Sequence, residues 1–422
     1  MKKVLVITYY WPPAGGPAVQ RVLKFVKYLP QFGWRPIILT IKDGEFQATD
    51  YSLIQEIQED VTIYKTKAIE PHKFYKKIAG IKSDDNIPFG TLMEKNVNWK
   101  KKLSNWLRVN IFIPDSRVGW IPFALKEGKR IIRDENIDLI FSSSPPPTVH
   151  LIAKKLSRGS GLKWVADFRD PWTGIYKNWN WNRFFISKIV DSKMERSVLA
   201  SATAISAVSR FDIYHDYTNK VKQTDKFHFI PNGYDEEDFK HKLESASQQE
   251  NEQFTIIHIG SIDEERMPLN LFRAIKKLDQ EKLINETNLC LIFVGKYDKA
   301  TFNKNIDQTV KKYIKLQGYV PHDQLFEYLQ RASILLLLIY KAANNIPGKT
   351  FEYLRSGKPL LVIGPESGEV ARMVNEVEAG VVIDYQNFEL IYQNLKKLIE
   401  AFFSNKLKRS VNIGQIQQYE RK

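Results

Sequence analysis

Apolar residues along this chain gather into short unbroken runs, separated by stretches in which they recur every three or four positions. The runs at residues 3–9 (KVLVITY), 35–40 (RPIILT), 137–141 (IDLIF), 163–166 (KWVA) and 204–209 (AISAVS) have strand length. Lacking an alternating polar face, they suit parallel strands covered on both sides. Between them, residues 19–32 and 121–135 carry apolar positions at helical spacing. The theme restarts in the second half, with strands predicted at 254–260, 289–295, 334–338, 360–364 and 380–383. Helices are predicted there at 269–278, 310–315, 323–332, 350–356, 387–403 and 413–422. Strand-helix alternation predicts an α/β class with parallel sheets. Residues 204–209 are expected to be the last strand of the first half, residues 50–66 hold an amphipathic or strand-like piece, and 70–95 carry no sustained period.

A chain of 422 residues exceeds one ordinary core and suits two domains. The Asn232-Gly233 turn marks the boundary. The domains are therefore 1–231 and 232–403, followed by a polar terminal helix, 404–422, that could return to the first domain. No apolar run approaches the roughly 20 residues of a membrane span, and the apolar start is too soon interrupted for a signal peptide. The chain is expected in the cytosol. Cys290, the single cysteine, sits in the apolar run 289–295 and reads as a buried strand residue.

Charge divides the chain unevenly. Residues 1–230 hold 37 Lys and Arg against 22 Asp and Glu, a net +15, whereas the remainder holds 26 of each. The basic half calls for an anionic partner, either nucleic acid or a membrane surface, unless the charge serves solubility alone. In residues 96–112 (NVNWKKKLSNWLRVNIF), Trp99, Leu103, Trp106 and Leu107 recur at helical spacing among Lys100, Lys101, Lys102 and Arg108. This reads either as an interfacial helix or as a helix packed on its own domain. Residues 172–190 again mix aromatics with bases, without any nucleic-acid motif.

Candidate chemistry concentrates at predicted strand ends, where doubly wound sheets bind ligands. Gly15 and Gly16 lie between the first strand and a helix carrying Arg21. SSSPPPTVH ends in His150, and 163–166 runs into Asp167, Arg169 and Asp170. In IPGKTFEYLRSGKPLLVIGPESGEV, residues 346–370, Pro347-Gly348 precedes a short helix that stops at Gly357. The helix start, Gly348 and Lys349 suit a phosphate, and Glu352 suits a ribose diol. GKT at 348–350 is not a P-loop, because Ala343 stands where the first glycine belongs. No G-x-G-x-x-G follows a strand, which disfavours a dinucleotide oxidoreductase.

The pattern P-G-K-x-F-E-Y-L-x-S-G-K-P at 347–359 resembles the donor segment of the retaining family 4 glycosyltransferases. The resemblance implies a GT-B fold, in which two Rossmann-like domains face a central cleft. It implies transfer of a sugar from a UDP-, GDP- or other nucleotide-activated donor, with no cofactor and no metal. Configuration would be retained by front-side attack. Donor residues would be Gly15, Gly16, Arg21, Arg266, Tyr319, Val320, Asn344, Pro347, Gly348, Lys349, Thr350 and Glu352. Asn344 stands where the family has the first Glu of its signature, and Ser261 where it has an Arg. Asp167, Arg169, Asp170 and His150 form the catalytic set, orienting sugar and acceptor. The charge of the first half points to a saccharide or lipid-linked acceptor at the inner membrane face, in polysaccharide or lipopolysaccharide assembly. A GT-B nucleotide-sugar epimerase and a basic, non-enzymatic nucleic-acid binder are the alternatives.

Overall fold

The computed structural model describes residues 1–44, 46, 49–69, 106, 109–174, 183–243, 252–321, 324–340, 346–407 and 413–422. The chain forms two units, Met1–Pro231 and Asn232–Lys422. In the first unit the strands are β1 (Lys2–Ile7), β2 (Trp34–Ile41), β3 (Thr62–Thr66), β4 (Leu139–Ser144), β5 (Lys163–Phe168), β6 (Ala204–Ala207) and β7 (Phe227–Phe229). They form one parallel sheet in the order β3-β2-β1-β4-β5-β6-β7. In the second unit they are β8 (Phe254–Ile259), β9 (Leu289–Val294), β10 (Ile314–Gln317), β11 (Ile334–Leu338), β12 (Leu360–Ile363) and β13 (Gly380–Ile383). Their order is β10-β9-β8-β11-β12-β13, again all parallel.

The unbroken apolar runs arise because each sheet is covered twice. From β1, Leu5 and Ile7 join a core with Ile140 and Trp164, while Val4 and Val6 face the helix Pro17–Tyr28 through Val19 and Val22. From β8, Ile257 and Ile259 pack with Phe351 and Leu354, and Phe254 and Ile256 with Leu271 and Ile275. Each fully buried aliphatic side chain stabilises by about 1.5–3 kcal/mol, so the two-sided burial dominates what holds these strands in place.

Both strand orders reverse direction once, between β1 and β4 and between β8 and β11. At such a switch point the connections leave in opposite directions and open a crevice beyond the carboxyl ends of the two strands. The candidate residues must be sought there.

Four elements differ from the sequence expectation. Residues 310–315, expected helical, are a helix Gln308–Lys311 followed by β10. This edge strand is only half covered, and four alternating residues are too few to outvote neighbouring helical spacing. Strand β7 extends the first sheet past β6; its three residues fall below any readable run. Ser142, Ser143 and Ser144 belong to β4 rather than to a loop. The terminal segment folds as two short turns, Ile413–Ile416 and Gln417–Tyr419, and packs on the second unit. There Ile416 and Tyr419 enter the core beside Phe351, and Tyr234 N–H donates to Tyr419 O at 3.1 Å.

Candidate functional site

At the β8/β11 switch point, β8 delivers His258 one residue before its end. The ring is buried and its Nδ1 lies 2.9 Å from the Leu336 carbonyl of β11. Its Nε2 lies 3.3 Å from Lys349 Nζ. An ammonium can only donate, so Nε2 carries the lone pair and Nδ1–H donates across the strands. Burial, and then the Lys349 charge, hold His258 well below the ordinary imidazole range. The ring is therefore a neutral acceptor that fixes the lysine.

Lys349 opens the helix Lys349–Ser356, whose first turn has no side-chain cap. Tyr353 of this helix accepts Ile259 N–H at 2.7 Å through its hydroxyl, which ties the helix start to the end of β8. Gly260 follows at φ 145°, and a Cβ there would stand 2.5 Å from Lys349 Nζ. The missing side chain leaves the ammonium room over the strand end. Burial, and then the Arg266 guanidinium, push Lys349 down to about 7 against the pull of Glu352. The side chain keeps part of its surface in solvent, which limits the shift. Thr350 Oγ1 is buried and has no hydrogen-bond partner among the described residues. Thr350 N–H donates to Pro347 O at 2.9 Å, so the amides available to an anion are those of Gly348 and Lys349.

Arg266 is half-exposed and held only loosely, with a guanidinium nitrogen 3.3 Å from Asp263. Glu352 is half-buried in the first turn of the helix. Tyr319 presents an exposed ring after β10, whereas Val320 is buried in the core. Asn344 lies outside the described residues, as do most of residues 96–112 and residues 175–182. The structure thus gathers Lys349, Thr350, Gly348 and Arg266 around one corner. His258 was not singled out in the sequence; a lone polar residue late in FTIIHIG, just before the glycine, was the available signal.

At the β1/β4 switch point of the first unit, Gly16 at φ 95° caps the helix Pro17–Tyr28. Arg21 turns inward. Its guanidinium meets Asp167 at 2.8 and 3.1 Å and donates to the carbonyls of Ile230 and Pro231, each at 2.9 Å. Asp167 also accepts from Ser143 and Ser206 hydroxyls, both at 2.7 Å. Burial raises the Asp167 pKa, but Arg21 and then the two hydroxyls outweigh it and hold the carboxylate ionised. Arg169 is buried and bonds the Ser144 and Pro145 carbonyls at 2.8 Å each. These three residues therefore lock strand ends together. Asp170 alone of the cluster is exposed.

His150 is completely buried beside Phe168, with ring centroids 4.4 Å apart. Trp164 Nε1–H donates to Ser142 Oγ at 2.8 Å, so the serine hydroxyl is free to donate to His150 Nδ1, also 2.8 Å away. The proton then sits on Nε2, which has no acceptor among the described residues. Burial pulls His150 down to about 3.

Residues 253–401 match the family described as glycosyl transferases group 1. The chain carries a group 1 glycosyltransferase domain on a GT-B fold. No curated protein sequence matches it. Among solved structures it is similar to sucrose-phosphate synthase from Thermosynechococcus elongatus, at 13% identity and TM-score 0.62, covering 100% of this chain and 95% of that one. It is likewise similar to Anabaena HepE in complex with UDP and glucose, at 12% identity and TM-score 0.62, covering 100% and 96%. A putative UDP-N-acetylglucosamine 2-epimerase from Listeria monocytogenes aligns at 12% identity and TM-score 0.55, covering 100% and 93%. Among the described residues, no helix is long and apolar enough to cross a membrane, and no cluster of three or more metal-ligating side chains occurs.

Proposed function

We propose that the protein is a retaining glycosyltransferase that moves a sugar from a nucleoside-diphosphate donor to a saccharide or lipid-linked acceptor in surface polysaccharide assembly. The observation that carries this reading is the corner at the β8/β11 switch point. There Lys349, a helix start and a buried, unpartnered Thr350 hydroxyl meet inside the group 1 family match. Lys349, Arg266 and the amides of Gly348 and Lys349 hold the diphosphate, and Glu352 holds the ribose. The backbone at Tyr319 and Val320 meets the base, with Pro347 lining the donor. Fixed cations then stabilise the leaving diphosphate without a metal ion. Anabaena HepE, which shares the fold, is a complex with UDP, and this supports a nucleotide donor.

The first unit takes the acceptor, with Gly15 and Gly16 at its helix tip. Asp170 is its group for substrate, and His150, Arg21, Asp167 and Arg169, all buried, position it. The departing phosphate receives the acceptor's proton, so no separate protein base is needed. The acceptor resides at the cytoplasmic face of an anionic membrane, and this accounts for the +15 charge of the first unit.

A thermal-shift panel of nucleotides and nucleotide sugars tests the donor site. UDP or another nucleoside diphosphate should raise Tm, and Glu352→Gln and Lys349→Ala should each abolish most of the shift. A panel without any shift refutes the reading. Conversion of the nucleotide sugar with no acceptor present would instead identify an epimerase. Activity that survives EDTA, with retained configuration at the product's anomeric carbon, checks the remaining chemistry.

A further inference from the structure

The helix Phe185–Ser201 is built inside out. Its buried positions are Ser187, Asp191, Glu195, Val198 and Leu199, three of the five polar. Ser187 donates to Asn110 O at 3.0 Å. Asp191 accepts from Trp172 Nε1 at 2.8 Å and from Arg183 at 2.6 Å. Glu195 accepts from the Thr173 hydroxyl at 2.6 Å and from Lys220 at 2.8 Å. These bonds fix which face looks inward, because a buried carboxylate without its partners would be strongly destabilising.

The outward face consequently carries the apolar residues. Phe184, Phe185 and Ile186 are 56%, 71% and 61% exposed. Ile189 follows on the same face, and Lys193 and Arg196 continue it, both exposed. At 1.5 Å rise per residue, these cations stand about 6 and 10 Å along the axis from Ile189. Beside the apolar end lie two further exposed apolar side chains, Trp106 and Ile111. They belong there because Asn110 joins the two segments: it accepts Phe184 N–H and donates to Trp106 O.

We infer that this face is a docking surface for an anionic lipid bilayer. Phe184, Phe185, Ile186, Ile189, Trp106 and Ile111 enter the headgroup and acyl boundary, and Lys193 and Arg196 meet lipid phosphates. The occupant follows from the charge. An apolar tip followed within two turns by cations matches a surface that is oily below and anionic above, and the unit itself carries the chain's whole +15 excess. The inference deepens the lipid-linked-acceptor reading and rests on it for its purpose, since it brings the acceptor-binding unit to the membrane.

Co-sedimentation of the full-length protein with phosphatidylcholine vesicles, with and without phosphatidylglycerol, tests it. Wild type should bind only the anionic vesicles, and Phe185→Ser combined with Ile186→Ser should lower that partitioning at least about tenfold. Lys193→Glu combined with Arg196→Glu should lose the preference for phosphatidylglycerol. Because all four side chains are exposed, both variants should keep the wild-type Tm and the wild-type shift with UDP. Absence of wild-type binding, or binding unchanged in the Phe185/Ile186 variant, overturns the inference. So does a dimer that this variant dissolves while vesicle binding persists. A missing UDP shift beside normal vesicle behaviour would overturn the donor site alone.

Discussion

Nucleotide binding should draw protons from solution, and Lys349 sets how many. Burial and the neighbouring Arg266 lower this lysine to about 7 in the empty site. A diphosphate brings two or more negative charges against it and restores the ammonium. At pH 8 a group of pKa about 7 is about one-tenth protonated, so binding UDP takes up to about 0.9 proton per site. The sign follows directly. Affinity is constant below the pKa and weakens above it, with Kd rising up to about 50-fold from pH 7 to pH 9. Titration calorimetry at pH 8 in buffers of different ionisation enthalpy measures the uptake, and UDP's own phosphates are already deprotonated there. In Lys349→Arg the guanidinium stays charged at every pH used, so uptake should vanish and the pH profile should flatten. Wild-type binding without proton uptake, or uptake unchanged in Lys349→Arg, refutes the argument.

Three further outcomes follow from the geometry. Gly260→Ala places a Cβ on Lys349 Nζ, so it should weaken UDP binding by about 10- to 100-fold, the worth of one charge-assisted hydrogen bond, in the same calorimetric assay. Asp167→Asn should cost about 3–5 kcal/mol in denaturant unfolding because it strands Arg21, whereas Asp170→Asn should change stability by less than about 1 kcal/mol. His150, held neutral with a pKa lowered from 6.5 to about 3, leaves the unfolded chain binding more protons in acid. Its contribution to stability is therefore present above pH 6.5 and falls by about 2 kcal/mol by pH 5; His150→Gln should remove that part of the acid dependence.

What the sequence disclosed depended on how local each signal was. The long apolar runs of β1, β8 and β11 and the helix Ile121–Glu135 were legible because their burial is uniform or strictly periodic. Edge strands β7 and β10 were not, since three or four half-covered residues carry no period. Within the candidate sites, Gly348, Lys349 and Glu352 could be read from one contiguous segment. The partners Arg21 and Asp167 lie 146 residues apart, and His258 and Lys349 lie 91 apart. Only the parallel pairing that sets β8 beside β11 and β4 beside β5 makes them neighbours.

The same distance effect explains how one residue type can carry opposite roles in the two units. Arg21 and Lys349 both sit near the start of a helix that follows a switch-point strand, and by position alone both suit a phosphate. Arg21 finds a fully buried carboxylate and two main-chain carbonyls, so its charge is neutralised inside the fold. Among the described residues Lys349 meets a neutral imidazole, with Arg266 near enough to depress it further and Glu352 pulling the other way. A cation left unneutralised at a helix start is a site prepared for an anion, whereas one closed by a carboxylate is not. Ser261 fits this account, because Lys349 reaches back over Gly260 toward the strand end that the resembled family furnishes with an arginine. On the proposed function, the charge needed by a diphosphate would come from the helix side of the crevice, where the neutral His258 holds the lysine in place.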